Sequence, residues 1–135
     1  MIDGRTAPYG TFLLRLVLAA AFLAHAGFKI FIATPAGAAH FFASLGLPGM
    51  LAYITIVGEV IGGIALLLGV WTRLVAILVI PFPLGSIIWV HGPAGFYFDN
   101  PHGGWEYPAF WIIALIVLAL LGDGAYALKP MQQAD

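Results

Sequence analysis

Apolar stretches long enough to cross a bilayer constrain this chain more than any other feature. A membrane's hydrocarbon core is about 30 Å thick, so a helix needs about 20 apolar residues to cross it. Four stretches qualify or come close, at residues 9–32, 50–68, 72–90 and 107–121. Hydrophobic residues make up 62% of the chain and charged residues only 8%, whereas soluble domains carry about 25% charged residues. We therefore expect an integral membrane protein, all-α, with one domain over residues 1–135 and four transmembrane helices in an antiparallel up-down bundle.

The connections between the predicted helices indicate how the chain is oriented. Residues 69–71 leave room only for a tight helical hairpin, so this turn and both termini are expected on one side of the membrane. That side carries most of the basic residues: Arg5, Arg73 and Lys129. Because basic residues are enriched on the cytoplasmic side, we expect cytoplasmic termini in a bacterial or archaeal cytoplasmic membrane.

Composition also excludes several classes of function. The chain has no cysteine, so disulfides, CxxC redox pairs and cysteine-ligated clusters are excluded. The net charge of -1 and the lack of a basic tract argue against nucleic-acid binding. A redox role would therefore depend on a bound small molecule or on a partner protein.

Three ionisable residues, Arg15, His25 and Glu59, interrupt the apolar stretches. A charged side chain at the centre of a membrane costs about 2.5–3.5 kcal/mol on insertion scales, and such residues usually face a protein interior or a wet cavity. We therefore predict these three as the catalytic residues. Glu59 is the deepest, and we expect it level with residues 18–22, with Arg15 or His25 as its partner.

Residues near Glu59 suggest space for a bound molecule. Gly62 and Gly63 lie one turn further along the predicted helix and would leave room for a ligand, although small residues also serve close helix packing. Pro81 and Pro83 are expected to break or kink the third helix near the middle of the membrane. A broken helix at that depth often borders a cavity, yet proline kinks without function are also common.

A second polar group is expected where the helices emerge opposite the termini. It comprises Lys29, His91, His102 and Glu106. We expect Lys29, His91 and Glu106 to bind a cofactor together with Glu59 and the two glycines, although charges at helix ends often only reach towards water or fix helix order. A similar group, Arg15, Arg73 and Asp123, is expected at the end that carries the termini.

The four histidines raise the question of a metal or haem. His91, His102 and Glu106 are plausible ligands in type, but their spacing matches no known metal signature. Haem held between His25 and another histidine is conceivable in a four-helix bundle. We expect neither a metal nor haem.

Short motifs along nearly the whole chain resemble those of the DoxX family of small four-helix membrane proteins. The motifs are LRL at residues 14–16, HAGFK at 25–29, GEVIGG at 58–63, LGVWTR at 68–73, GGWEYP at 103–108 and GDG at 122–124. The chain departs from the family at residues 127–129, where Ala-Leu-Lys replaces a frequent Ser-Leu-Asp stretch. The resemblance implies the four-helix fold and an association with redox systems, since the family is named for a subunit linked to thiosulfate:quinone oxidoreduction. Other members are associated with oxidative stress or with quinone and catechol detoxification. Family membership alone does not imply an enzyme.

The leading functional hypothesis is a membrane module that binds a quinone-like lipophilic molecule for a partner oxidoreductase. Glu59 would bond a quinone oxygen or carry its proton, Arg15 would stabilise negative charge, and His25 would relay protons towards Lys29 and Glu106. At most, the protein would be a subunit of such an enzyme.

Two other classes of function fit the same residues. In a non-catalytic structural or docking subunit, the charged residues would lock the helices together and hold a partner. In a small solute or proton permease, they would form a conduit. A permease of this size would need a homodimer, because a single four-helix bundle leaves little open space inside.

Overall fold

The computed structural model describes residues 1–131, and every regular element in this part of the chain is helical. The helices are α1 (Ala7–Gly27), α2 (Pro35–Ser44), α3 (Met50–Leu68), α4 (Thr72–Leu78), α5 (Pro81–Ser86) and α6 (Glu106–Leu121). A π-helical turn extends α1 over Phe28–Ile32, and another extends α5 over Ile87–His91. The predicted all-α class is confirmed.

Three helical stretches are long and apolar enough to cross a membrane. They are Ala7–Ile32 with 26 residues, Met50–Leu68 with 19 and Thr72–His91 with 20. The fourth, α6, is apolar but has only 16 residues. The chain is therefore an integral membrane protein with three helices that suffice for crossing by length, and a shorter fourth helix packed against them.

The third stretch is interrupted, as the prolines predict. Helix α4 ends at Leu78 and α5 begins at Pro81, which has no amide hydrogen to continue the helical ladder. The π-helical turn that follows closes with a hydrogen bond from Gly92 N to Ile87 O at 2.7 Å. This stretch is thus built from two short helices and a widened turn.

Small residues allow the long helices to approach closely. A Cβ atom on Gly62 would lie 2.5 Å from Val79 Cγ1, and one on Gly63 would lie 2.8 Å from Leu23 Cδ2. Both distances are shorter than a van der Waals contact. Gly63 therefore brings α3 against α1, and Gly62 brings it against the end of α4. Buried side chains from α1, α3, α4 and α6, including Phe22, Leu66, Leu115 and Leu118, form the main core.

Helix α2 lies in the connection between the first two predicted transmembrane helices, residues 33–49, where no helix was predicted. Its N-terminus is marked by Thr34, whose hydroxyl accepts a hydrogen bond from Gly37 N at 3.1 Å, and by Pro35 at the first helical position. Ala38 packs against Ala52 and Ile56 of α3. With 10 residues, α2 is too short to cross a membrane and instead covers one side of α3.

The segment after α6 folds back against the bundle. Ala125 N donates to Pro8 O at 2.9 Å, Lys129 N donates to Gly69 O at 3.1 Å and Trp71 N donates to Lys129 O at 3.0 Å. The N-terminus, the α3–α4 turn and residues 122–131 therefore meet at one end of the bundle. We call this the terminal end, and the opposite one the loop end.

Arg15 fixes this segment from inside the bundle. Its side chain is fully buried. One guanidinium nitrogen, Nη1, donates to Asp123 O at 2.6 Å and the other, Nη2, donates to Ala125 O at 3.2 Å. The Asp123 carboxylate instead accepts hydrogen bonds from Thr72 N at 3.4 Å and Met131 N at 3.1 Å. Arg15 and Asp123 thus meet as expected, but through the Asp123 carbonyl.

Replacing Arg15 by methionine is expected to destabilise the protein. Hydrogen bonds to charged groups contribute about 1.5–3 kcal/mol each, and Arg15→Met leaves two carbonyls without their donors. We expect a clear fall in the thermal unfolding temperature in detergent. Arg5→Met is the matched control, because Arg5 has the same charge and its side chain is 92% exposed. Equal unfolding temperatures for the two variants would contradict the anchoring role of Arg15.

Candidate functional site

A cavity of about 530 Å³ lies between α1, α2, α3, α5 and α6 in the loop half of the bundle. Most of its lining is apolar, with contributions from α2 and from Pro81, Phe82 and Pro83 of α5. Four of the predicted site residues line it: His25, Lys29, Glu59 and His91. Cavities of this size, mostly apolar with a few polar groups, are typical of small-molecule sites.

An ion pair between Lys29 and Glu59 is the main polar feature of the cavity. Lys29 Nζ lies 3.1 Å from Glu59 Oε1 and 3.0 Å from Oε2, so the ammonium bonds both carboxylate oxygens. The side chains are 18% and 6% exposed, respectively. Lys29 lies in the π-helical turn Phe28–Ile32 that extends α1. The ion pair therefore joins α1 to α3 across the wall of the cavity.

The expectation that Arg15 or His25 would be the partner of Glu59 was wrong. In the structure, Gly63 is the α3 residue that packs at the level of Ala19 and Leu23. Glu59 precedes Gly63 by one turn, about 6 Å nearer the loop end. At that depth it is within reach of the long Lys29 side chain and far from the Arg15 anchor at the terminal end.

His25 and Trp111 form an aromatic wall of the cavity. Their ring centroids lie 4.8 Å apart with an interplanar angle of 52°. The Trp111 side chain is buried at 7% exposure, and its indole N–H has no hydrogen-bond partner among the described residues. The indole nitrogen itself is buried, so Trp111 contributes its ring rather than its N–H to the cavity wall. Trp111 was not predicted as a site residue. Its spacing of one helical turn from Tyr107 was a usable signal, since both residues line the cavity.

His91 is held in a defined orientation. Its ring Nδ1 lies 2.8 Å from Gly103 O. A carbonyl can only accept, so Nδ1 carries a proton, and in the neutral ring Nε2 is left as an acceptor. His91 thus brings an imidazole with one acceptor nitrogen to the lining of the cavity.

Other predicted site residues lie away from the cavity. Arg15 is at the terminal end, and Gly62 and Gly63 contact neighbouring helices. Glu106 lines a separate groove on the surface and accepts a hydrogen bond from Phe98 N at 3.2 Å. In residues 1–131, no three His, Asp or Glu side chains are grouped closely enough to hold a metal ion.

Gly58 shapes the cavity from the α3 side. The position that its Cβ would take is occupied by the ring of Phe82. Phe82 belongs to α5, directly after the break in the third stretch, and it lines the cavity. The GEVIGG motif at residues 58–63 thus combines a buried carboxylate with glycines that admit Phe82, Val79 and Leu23 from three neighbouring segments.

Comparison with known proteins identifies the family. The family model DoxX matches residues 10–92. The Bacillus subtilis (strain 168) protein named “Putative oxidoreductase CatD” is 36% identical over 121 residues, which cover 90% of this chain and 85% of that protein. No solved structure matches the chain. The matched region contains the ion pair, the α3 glycines and the broken third stretch, and we conclude that this chain belongs to the DoxX family.

Proposed function

We propose that this protein is an integral membrane module of a redox system, which binds a quinone-like lipophilic molecule in the Lys29–Glu59 cavity for a partner oxidoreductase. The observation that carries the proposal is a buried ion pair on the wall of a largely apolar cavity of about 530 Å³. The related Bacillus subtilis protein carries the name “Putative oxidoreductase CatD”. A quinone matches the site chemically, because it is an apolar ring with two carbonyl oxygens that need donors.

The lining residues supply the donors and acceptors that such a molecule requires. The Lys29 ammonium has three N–H groups, of which the Glu59 carboxylate engages two, so the third is free for one quinone oxygen. His25, which also lines the cavity, can donate to the second oxygen through a ring N–H. The Trp111 ring lies against His25 at 4.8 Å and gives the quinone ring an aromatic surface to pack on.

Reduction of a quinone to a hydroquinone takes two electrons and two protons. The partner oxidoreductase would supply the electrons, since the chain has no cysteine for a cluster. Glu59, His25 and His91 all line the cavity, and their side chains can hold or pass a proton. Arg15 has no part in this proposal, because its guanidinium is engaged by Asp123 O and Ala125 O.

We further propose that α6 is a fourth crossing, so that a single domain of four antiparallel spans has both termini in the cytoplasm of a bacterium or archaeon. Sixteen helical residues extend about 24 Å, which modest thinning of the bilayer accommodates. Leu115 and Leu118 of α6 are fully buried in the common core. The terminal end holds Arg5, Arg73 and Lys129, in agreement with the positive-inside rule.

Single cysteines test this arrangement, because the chain has none of its own. We expect Asp99→Cys, in the loop before α6, to react with a membrane-impermeant maleimide in intact spheroplasts. Leu128→Cys, in the segment after α6 and 71% exposed, should react only after lysis. Labelling of both in intact spheroplasts would contradict a crossing by α6.

A structural or docking subunit is the second candidate, and the same ion pair favours it. A buried salt bridge that joins α1 to α3 can fix helix order without any ligand. If the protein is a structural or docking subunit, loss of the Glu59 charge would lower its thermal stability, and the cavity would bind no quinone. A permease has less support, because Arg15, which would continue a polar conduit, hydrogen-bonds Asp123 O and Ala125 O and does not line the cavity.

Glu59→Gln tests the proposed site. The substitution removes the carboxylate that holds the Lys29 ammonium in place, so the hydrogen bond from Lys29 to the quinone should be lost. A hydrogen bond to a charged group contributes about 1.5–3 kcal/mol, which corresponds to quinone binding weaker by about 10- to 100-fold. Binding is measured by titrating a short-chain benzoquinone into the protein in nanodiscs and following tryptophan fluorescence. Asp99→Asn, an exposed acid outside the cavity, is the matched control and should bind like the wild type. Absence of saturable binding in the wild type, or unchanged affinity in Glu59→Gln, would refute the proposal.

A further inference from the structure

A second pocket, of about 470 Å³, lies at the loop end where α6 begins. Five aromatic side chains line it: Phe96, Phe98, Trp105, Tyr107 and Phe110. Glu106 is the one charged residue in its lining. We call this pocket the aromatic groove. It is distinct from the Lys29–Glu59 cavity, and Tyr107 contributes to both linings.

The backbone holds the aromatic groove in shape. Trp105 N donates to Gly95 O at 2.8 Å, and Glu106 N donates to Phe96 O at 3.0 Å. Gly104 N donates to Tyr97 O at 2.8 Å, and the carbonyls around Gly104 leave no space for a Cβ atom. The Phe96 and Trp105 rings meet edge to face, with centroids 4.8 Å apart. The groove is therefore preorganised, which lowers the entropic cost of binding.

The negative charge of Glu106 and the aromatic rings of the groove together favour an organic cation as the ligand. Aromatic faces attract cations, and aromatic cages are a known way to recognise ammonium groups. Glu106 Oε2 accepts a hydrogen bond from Phe98 N, whereas Oε1 makes none within residues 1–131. One carboxylate oxygen is thus free to meet a positive charge at the mouth of the groove.

The groove continues along the outer side of α6. Phe110 is 71% exposed and Ile113 is 58% exposed, and both belong to the lining. Ile113 lies seven residues after Glu106, about 10 Å further along the helix axis. A molecule that fills the groove therefore needs a cationic head and an apolar chain that runs along the helix.

We propose that the aromatic groove binds a phospholipid with an ammonium headgroup, ethanolamine or choline. The ammonium lies between the aromatic rings and Glu106, and one acyl chain runs along Phe110 and Ile113. The proposal rests on the proposed membrane crossing of α6, and it does not depend on quinone binding. Because Tyr107 lines both sites, the bound lipid lies against the wall of the cavity.

Native mass spectrometry of the full chain, released from detergent micelles, tests this site. The micelles contain equal amounts of phosphatidylethanolamine, phosphatidylcholine and phosphatidylglycerol, which share acyl chains and differ in the headgroup. A cation–π site with one carboxylate predicts about tenfold higher retention of each ammonium lipid than of the glycerol lipid. In Glu106→Gln this preference should fall to about twofold or less.

The variant leaves the loop intact, because the glutamine oxygen can still accept from Phe98 N. Asp99→Asn is the matched control, since Asp99 is an exposed acid of the same loop outside the groove, and it should keep the wild-type preference. Equal retention of the three lipids by the wild type would overturn the proposal. An unchanged preference in Glu106→Gln, or an equal loss in Asp99→Asn, would also overturn it. If the lipid experiment fails, the maleimide experiment shows whether the proposed crossing by α6 or the proposed lipid ligand is wrong.

Discussion

Much of this structure depends on how one carboxylate is accommodated inside an apolar bundle. Glu59 is 4% exposed on a helix whose other residues suit a lipid environment. A carboxylate at that depth needs a partner, and the Lys29 ammonium meets both of its oxygens. Since the two residues belong to α1 and α3, the ion pair fixes the register between these helices. It also places two polar groups on the wall of a cavity that is otherwise largely apolar.

The cavity exists because neighbouring elements depart from regular helix packing. The proline break between α4 and α5 brings Phe82 against Gly58, and the π-helical turn carries Lys29. Widened turns of this kind occur often at functional sites. Helix α2 forms a further part of the cavity wall. Gly62 and Gly63, by contrast, allow close helix packing in the middle of the bundle, and Arg15 anchors the segment at the terminal end. The bundle thus has a densely packed half and a half that encloses space.

The sequence predicted the all-α class and several of the residues that line one cavity for clear physical reasons. Apolar stretches of membrane length set the long helices, and the prolines marked the break in the third stretch. Residues His25, Lys29, Glu59 and His91 were identified by their polarity in apolar surroundings, and the structure gathers them at one cavity. The ion-pair partner was missed because helical rise alone does not give the offset between two packed helices, which the Gly63 contact sets. The partners of Arg15 are backbone carbonyls, which residue type does not reveal, and the place of the Trp111 ring in the cavity wall depends on its tertiary surroundings.

We propose that the Lys29–Glu59 cavity holds a quinone-like molecule. The most direct test is to purify the protein from its native membrane into nanodiscs, extract it with organic solvent and identify bound small molecules by mass spectrometry. We expect a stoichiometric quinone in the wild type that is lost in Glu59→Gln, while both proteins remain folded. An extract without quinone, or equal quinone in both proteins, would exclude this site and would favour a structural subunit.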